Sequence, residues 1–148
     1  MYDPPRSNSY QASMTFDEML ERVRHEGAYP TREHAAEAVH QVLAALGRQL
    51  TRNERVDLAQ CLPVEAALAL TTSVPDSAQL TGRDFVTDLA SRSGTTPATT
   101  RWNTGAVLAT VTHLTGPDLL ARILHQLPEG YALLFGQAEL RRPEPAAA

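Results

Sequence analysis

The sequence predicts an all-α protein in which two tandem helical repeats share one core. Apolar residues recur with the spacing of amphipathic helices, and no segment alternates with the period of two that is typical of a strand. Val42-Leu43-Ala44 and Leu62-Pro63 recur 65 residues later as Val107-Leu108-Ala109 and Leu127-Pro128. Self-similarity at a fixed spacing indicates that one supersecondary unit occurs twice. We therefore expect two copies of about four helices each, related by a pseudo-twofold axis.

The amino-acid composition also favours helices over strands. Of the 148 residues, 22 are alanine, whereas aromatic residues make up only 5%. Alanine has the highest helix propensity, and strands are enriched in aromatic and β-branched residues. A chain of this length forms one domain. Two copies of about 55 residues each are marginal alone, so we expect them to share a core.

Local signals place four helices in the first repeat. A capping box at Thr15-Phe16-Asp17-Glu18 begins the first helix, and Gly27 ends it. Pro30-Thr31 begins a longer second helix, and Thr51-Arg52-Asn53-Glu54 is a capping box for the third. Pro63 ends the third helix and begins the fourth, because the first turn of a helix does not need the N–H that proline lacks.

The second repeat follows the same plan. An apolar stripe over 85–90 forms its first helix, which Gly94 ends, and Pro97 begins the long second helix. Thr115-Gly116-Pro117-Asp118 repeats the cap signal of the third helix, and Pro128 restarts the chain for the fourth.

The first helices are expected to match less closely than the other helices. Phe16 and Leu20 find counterparts in Phe85 and Leu89, which lie 69 rather than 65 residues later. The first repeat is therefore expected to carry about four extra residues near its first turn. The apolar stripes also predict a core with matching positions in the two repeats. The residues expected to be buried are Phe16, Leu20, Val39, Leu43, Leu58, Leu62, Phe85, Leu89, Leu108, Ile123 and Leu127.

The connecting segments differ in composition from the repeats. Residues 1–13 and 138–148 contain prolines and many polar residues, and we expect them to form a flexible arm and a flexible tail. Residues 73–80 have turn composition. They are predicted to link repeat one, at 14–72, to repeat two, at 81–137.

This plan resembles the bacterial proteins grouped as domain of unknown function 2267. Those proteins have a Phe-led first helix, a second helix rich in Val and Leu, a Ser/Thr cap with an acid, and a Gln-x-Leu-Pro or Gln-Leu-Pro ending. The endings here are Gln60-Cys61-Leu62-Pro63 and Gln126-Leu127-Pro128, and Cys61 makes the first depart from the Gln-Leu-Pro form. The resemblance covers residues 15–136 and implies a duplicated helical fold. The family has no known activity, so the resemblance implies no catalytic residue.

The sequence shows no pattern of reactive residues typical of an enzyme. His34 and His40 are too far apart around a helix to share a face, so we expect no metal site and no cofactor. The single cysteine, Cys61, lies near a predicted helix C-terminus, which raises the pKa of a thiol. One cysteine, no export signal and no membrane-spanning stretch lead us to expect a cytoplasmic protein without membrane attachment.

Three arginines form the best nucleic-acid candidate. Arg48, Arg52 and Arg55 flank a predicted turn between two helices, which is superficially similar to a helix-turn-helix. However, Glu54 and Asp57 are interleaved with them, and the net charge of the chain is −4. An acidic chain opposes a broad nucleic-acid surface. Weak nucleic-acid binding is therefore only an alternative function.

Trp102, Asn103 and Gly105 lie where the two repeats differ most. Core filling is the simpler interpretation of the single tryptophan, and an interface anchor is the alternative, because tryptophan is enriched in binding hot spots. A glycine within a helix is usually kept for close approach of another helix. These three residues are our candidates for partner binding.

The sequence favours a non-catalytic function in protein interaction or self-assembly, with a protein partner or a second copy as the ligand. This hypothesis depends on the absence of a recognisable reactive constellation and on the grooves that a duplicated helical unit offers. An enzyme with an unrecognised site is the further alternative, because a fold does not determine function.

Replacing Leu62 or Leu127 with alanine should lower the free energy of unfolding by about 2–5 kcal/mol, because each change deletes buried apolar atoms and leaves a cavity. Denaturant titration of each variant measures this loss. A loss below about 1 kcal/mol at both positions would contradict the alignment of the two repeats.

Overall fold

The computed structural model describes residues 14–76 and 78–137, and these residues form eight helices and no strands. The prediction of an all-α fold is therefore confirmed. The predicted arm at 1–13 and tail at 138–148 lie outside the described residues. The helices are α1 (Phe16–Gly27), α2 (Arg32–Gly47), α3 (Arg52–Cys61), α4 (Val64–Thr71), α5 (Gly82–Ser93), α6 (Pro97–Thr115), α7 (Pro117–Gln126) and α8 (Tyr131–Leu134).

Threonine side chains begin several of these helices. The Thr15 hydroxyl accepts a hydrogen bond from the Glu18 amide at 3.1 Å, and the Glu18 carboxylate accepts one from the Thr15 amide at 2.9 Å. The predicted capping box of α1 is thus confirmed. Thr51 is different, because its hydroxyl donates to Glu54 Oε1 and makes no cap bond to the backbone of α3. The predicted capping box at Thr51 is therefore wrong.

The first helix ends at Gly27, as predicted, but its left-handed cap position falls on the next residue. Gly27 is the last residue of α1, and the left-handed cap residue is Ala28, with φ 54° and ψ 42°. In α5 the same left-handed position is held by Gly94, with φ 69°. A Cβ at Gly27 would lie 2.2 Å from the ring of Tyr29. Gly27 therefore leaves room for the ring of Tyr29, while Ala28 bears the left-handed backbone angle.

The core is centred on α2 and α6. These two helices contact each other, and each also contacts both α1 and α5. The predicted core residues are buried except Phe16, which is half-buried and places its ring edge-on against His40 at a centroid distance of 6.1 Å. Phe16 is the first residue of α1, so its side chain lies at the end of the core rather than inside it.

The caps give the first helices a different spacing from the one predicted. The N-caps Thr15 and Thr81 lie 66 residues apart, as do the C-caps Ala28 and Gly94. Counted from these caps, three buried positions are the same in the two helices: Met19, Leu20 and Val23 in α1, and Phe85, Val86 and Leu89 in α5. The predicted offset of 69, which pairs Phe16 with Phe85, differs from this cap spacing by three residues. The N-caps of α2 and α6 lie 65 residues apart, so the chain between the N-caps of α1 and α2 is one residue longer than that between the N-caps of α5 and α6.

Two glycines allow close backbone packing. A Cβ at Gly47, the last residue of α2, would lie 2.0 Å from the carbonyl oxygen of Leu70 in α4. A Cβ at Gly82 would lie 2.5 Å from the backbone of Gly130, in the turn before α8. Because a side chain at either position would meet backbone atoms, both contacts depend on glycine.

Replacing Ala28 with glycine should raise the free energy of unfolding by about 0.5–1 kcal/mol, because relief of the left-handed strain exceeds the entropy that glycine adds to the unfolded chain. The matched variant Gly94→Ala should lower it by about 1 kcal/mol, since a Cβ there meets no atom within 4 Å and only the backbone angle changes. Chemical denaturation measures both values. Destabilisation by Ala28→Gly would contradict the assigned cap.

Candidate functional site

Trp102 lies on the outer face of α6. Trp102 is 58% exposed, so the simpler of its two interpretations, that it fills the core, is wrong. The core-facing positions of α6 include Thr100, Thr104, Val107 and Val111. Trp102 is nine residues before Val111, which places it on the opposite side of a helix with 3.6 residues per turn. The helical period therefore predicts the outward position of Trp102, whereas the apolar character of tryptophan had favoured a place in the core.

Hydrogen bonds from α6 to the end of α1 hold this part of the molecule together. The indole Nε1–H of Trp102 donates to the carbonyl oxygen of Gly27 at 2.8 Å. Next to it, the Tyr29 hydroxyl donates to Asn103 Oδ1 at 2.6 Å. The Tyr29 ring stacks on His34, with ring planes 4° apart. Two of the three candidate partner-binding residues thus connect distant parts of the chain.

Partial burial has an electrostatic consequence for Tyr29. Loss of solvent disfavours the phenolate, and this desolvation raises the pKa of Tyr29 to about 12. The hydroxyl is therefore a neutral hydrogen-bond donor at physiological pH. The contact with Asn103 Oδ1 uses that donor.

A small cleft opens beside Trp102. It has a volume of about 300 Å³ and is called the Trp102 cleft below. A Cβ at Gly105 would meet no atom within 4 Å, so the close helix approach predicted for this glycine does not occur within the described chain. Gly105 instead leaves one wall of the cleft open. The lining residues are Glu26, Ala98, Arg101, Trp102, Gly105 and Ala106.

A larger cleft lies between the N-terminal end of α1 and helix α4. It has a volume of about 750 Å³ and is called the α1–α4 cleft below. Its exposed apolar side chains are Val64 at 71% and Leu68 at 54%, and Phe16 lines it from α1. Glu18 and Glu65 also line it, but the Glu18 carboxylate is engaged in the cap of α1.

Two of the three candidate nucleic-acid residues, Arg48 and Arg55, have contacts within the fold. Arg48 Nε lies 3.9 Å from Asp76 Oδ2, and the side chain of Arg52 is outside the described part of the chain. The Arg55 guanidinium donates to backbone carbonyl oxygens at the end of α4 and in the following linker. Those carbonyls belong to Leu70, Thr71 and Ser73. Arg55 thereby stabilises the end of a helix, where carbonyl groups lack helical partners.

A polar seam joins α3 to α7. The Gln126 side chain accepts from the Thr51 amide at 2.7 Å and donates to Thr51 Oγ1 at 2.9 Å and Glu54 Oε1 at 2.7 Å. Arg122 forms ion pairs with Glu54 and Asp57. Gln126 thus caps α3 from the other half of the chain. Sequence reasoning missed this role, although Gln126 lies in the Gln-Leu-Pro ending that carries the family resemblance.

Two kinds of potentially reactive group remain: the thiol of Cys61 and side chains that could bind a metal ion. Burial raises the pKa of the Cys61 thiol, and the charge of Asp57 adds to the effect. The predicted direction is confirmed, although its cause is burial and a neighbouring carboxylate rather than the helix end alone. Among the described residues, no group of three His, Cys, Asp or Glu side chains could hold a metal ion. None of the described helices is long and apolar enough to span a membrane.

The family described as an uncharacterized conserved protein, DUF2267, matches residues 16–134. The chain belongs to this family. The match begins with the first residue of α1 and ends with the last residue of α8, so the DUF2267 match covers the whole series of described helices. This confirms the resemblance predicted from the Phe-led helix and the Leu-Pro endings. No curated protein matches the chain.

Replacing Tyr29 with phenylalanine should lower the free energy of unfolding at neutral pH by about 1 kcal/mol, through loss of the bond to Asn103. The difference from the wild type should shrink with rising pH. Because the folded-state pKa of Tyr29 is raised from 10.0 to about 12, its stabilising contribution is complete below pH 10 and is lost as the pH rises through 12.

Denaturant titrations of both proteins between pH 7 and pH 12 measure this difference. Subtracting the phenolate absorbance of Tyr29→Phe from that of the wild type isolates the ionisation of Tyr29 from that of the other three tyrosines. The assigned environment of Tyr29 would be contradicted if the free energy of unfolding of the wild type rose relative to that of Tyr29→Phe with increasing pH.

Proposed function

We propose that this DUF2267 protein is a non-catalytic interaction module that binds a protein partner at the Trp102 cleft. One observation carries the proposal: an exposed indole is held by a hydrogen bond of 2.8 Å to Gly27, beside an open cleft. Tryptophan is among the residues that contribute most to protein–protein binding when it enters a desolvated pocket.

The fixed orientation of Trp102 favours binding. An anchor whose ring is held before association loses less conformational freedom when the complex forms. The indole N–H already has an acceptor in the Gly27 carbonyl, so a partner can cover the ring without leaving a buried donor unsatisfied. The same hydrogen bond therefore supports both the fold and the exposed surface.

The size and lining of the Trp102 cleft also support a protein ligand. A volume of about 300 Å³ lies at the lower end of the range for small-molecule sites, which is about 300–1,000 Å³, and suits one large side chain. The lining contains two alanines, a glycine and an indole, with one carboxylate and one guanidinium. Such a mixture of apolar floor and charged rim is typical of protein interfaces.

The proposal includes a duplicated architecture, with repeat one at 14–72, the linker at 73–80 and repeat two at 81–137. Helix α2 contacts its counterpart α6, and α3 contacts its counterpart α7, as expected for helices beside a pseudo-twofold axis. The caps of equivalent helices lie 65 or 66 residues apart. Both findings support one ancestral unit that was copied.

We place the protein in the bacterial cytoplasm, where a free thiol such as Cys61 is stable. Nucleic-acid binding through Arg48, Arg52 and Arg55 is less well supported than protein binding. Arg48 faces the carboxylate of Asp76, and Arg55 is bonded to backbone carbonyls, so both have competing contacts for a phosphate.

Replacing Trp102 with alanine should weaken binding of the partner at least about 30-fold, which corresponds to a hot-spot loss of about 2 kcal/mol. The experiment uses tagged full-length protein in lysate of its own host, with quantitative mass spectrometry of the proteins retained. Leu133→Ala is the matched control, because Leu133 is 65% exposed but does not line the cleft.

A photo-crosslinking side chain at Ala98 should then label the same protein that depends on Trp102, because Ala98 lines the cleft. The proposal is contradicted if no retained protein distinguishes Trp102→Ala from Leu133→Ala while circular dichroism shows that both variants are folded.

A further inference from the structure

Two opposite charges lie at the rim of the Trp102 cleft. Glu26 comes from the last turn of α1, and Arg101 comes from the N-terminal part of α6. Both residues are exposed. Within residues 14–76 and 78–137, neither forms an ion pair, whereas the nearby Glu21 is paired with Arg24 and Arg32. The cleft therefore offers one charge of each sign to a partner.

A surface of this kind is complementary to itself. In a dimer with twofold symmetry, every contact across the interface occurs twice. If residue i of one copy contacts residue j of the other, residue j of the first copy also contacts residue i of the second. We propose that the partner at the Trp102 cleft is a second copy of this chain, in a symmetric dimer where Glu26 of each copy pairs with Arg101 of the other. This inference rests on the proposed function of the cleft.

The shape of the cleft fits an indole from a second copy. Gly105 has open space above it, and Ala98 and Ala106 add only small side chains. Each copy would place its Trp102 ring over the Gly105 wall of the other copy. Burial of aromatic surface then provides the attraction, and the two reciprocal ion pairs fix the orientation.

The α1–α4 cleft lacks this self-complementarity. Its lining includes the carboxylates of Glu18 and Glu65 but no basic side chain. Two copies that met through this cleft would bring like charges together. Charge complementarity therefore favours the Trp102 cleft as the surface that joins two copies.

Charge exchange tests this dimer. Glu26→Arg and Arg101→Glu should each weaken self-association at least tenfold in sedimentation equilibrium, because each change converts both reciprocal ion pairs into repulsive contacts. Mixed in equal amounts, the two variants should associate as tightly as the wild type. In the mixed dimer, Arg101 of the Glu26→Arg copy pairs with Glu26 of the Arg101→Glu copy, and the two substituted side chains also carry opposite charges.

These substitutions are suited to the helices that carry them. A positive charge near the C-terminal end of α1 and a negative charge near the N-terminal end of α6 both complement the helix dipole.

Gly105→Leu provides a second test without altering charge, because it fills the cleft and should abolish the dimer. Glu65→Arg is the charge control in the α1–α4 cleft and should leave association unchanged.

The dimer is supported if the wild type self-associates, the single exchanges weaken association, and the mixture restores it. A wild type that remains monomeric at the highest soluble concentration overturns the dimer, as does unchanged association of Glu26→Arg, Arg101→Glu or Gly105→Leu. If the wild type is monomeric but still retains another protein through Trp102, only this inference fails. If Trp102 affects neither measurement, the proposed function fails as well.

Discussion

Packing of α1 against α6 is the interaction on which the rest of the structure depends. A helix of 12 residues such as α1 is marginal by itself in water and needs an apolar surface to pack on. That surface is supplied by α6, whose sequence lies about 80 residues later, and by α2. The first half of the chain therefore completes its core with the second half. The hydrogen bonds from Trp102 to Gly27 and from Tyr29 to Asn103 define how the two helices meet.

Two sets of polar contacts between the halves of the chain, called seams here, give the apolar core one arrangement. Hydrophobic burial is non-directional, so it stabilises many packings of the same helices. The bonds of Gln126 to Thr51 and Glu54 join the two halves at α3 and α7. The bonds of Trp102 and Asn103 join them at α1 and α6. Each seam satisfies a helix terminus, so correct docking is coupled to satisfied backbone groups.

The same contacts connect the fold to the proposed function. Gly27 lacks a side chain and leaves room for Tyr29. Its carbonyl oxygen accepts the hydrogen bond from the indole N–H of Trp102. That bond holds an aromatic ring at the surface, beside a cleft bordered by Gly105. An exposed ring that is part of the structural framework differs from a mobile surface side chain, because its position is set before a partner arrives. The DUF2267 match extends over all the described helices, in agreement with a surface that the whole fold positions.

The sequence by itself determined the local structure. Threonine caps, Leu-Pro endings and apolar stripes placed the helices, their buried faces and the family, because capping and helical periodicity act over a few residues. Only the tertiary structure decided the hydrogen bond from Trp102 to Gly27, the cap that Gln126 provides for α3 and the use of Arg55 at the end of α4. It also decided that Met19 is buried inside the core whereas Phe16, the first residue of α1, is half-buried at its end. The physical reason is distance along the chain: the Trp102 and Gln126 contacts each join residues 75 positions apart, and local pattern does not show which distant groups packing brings together.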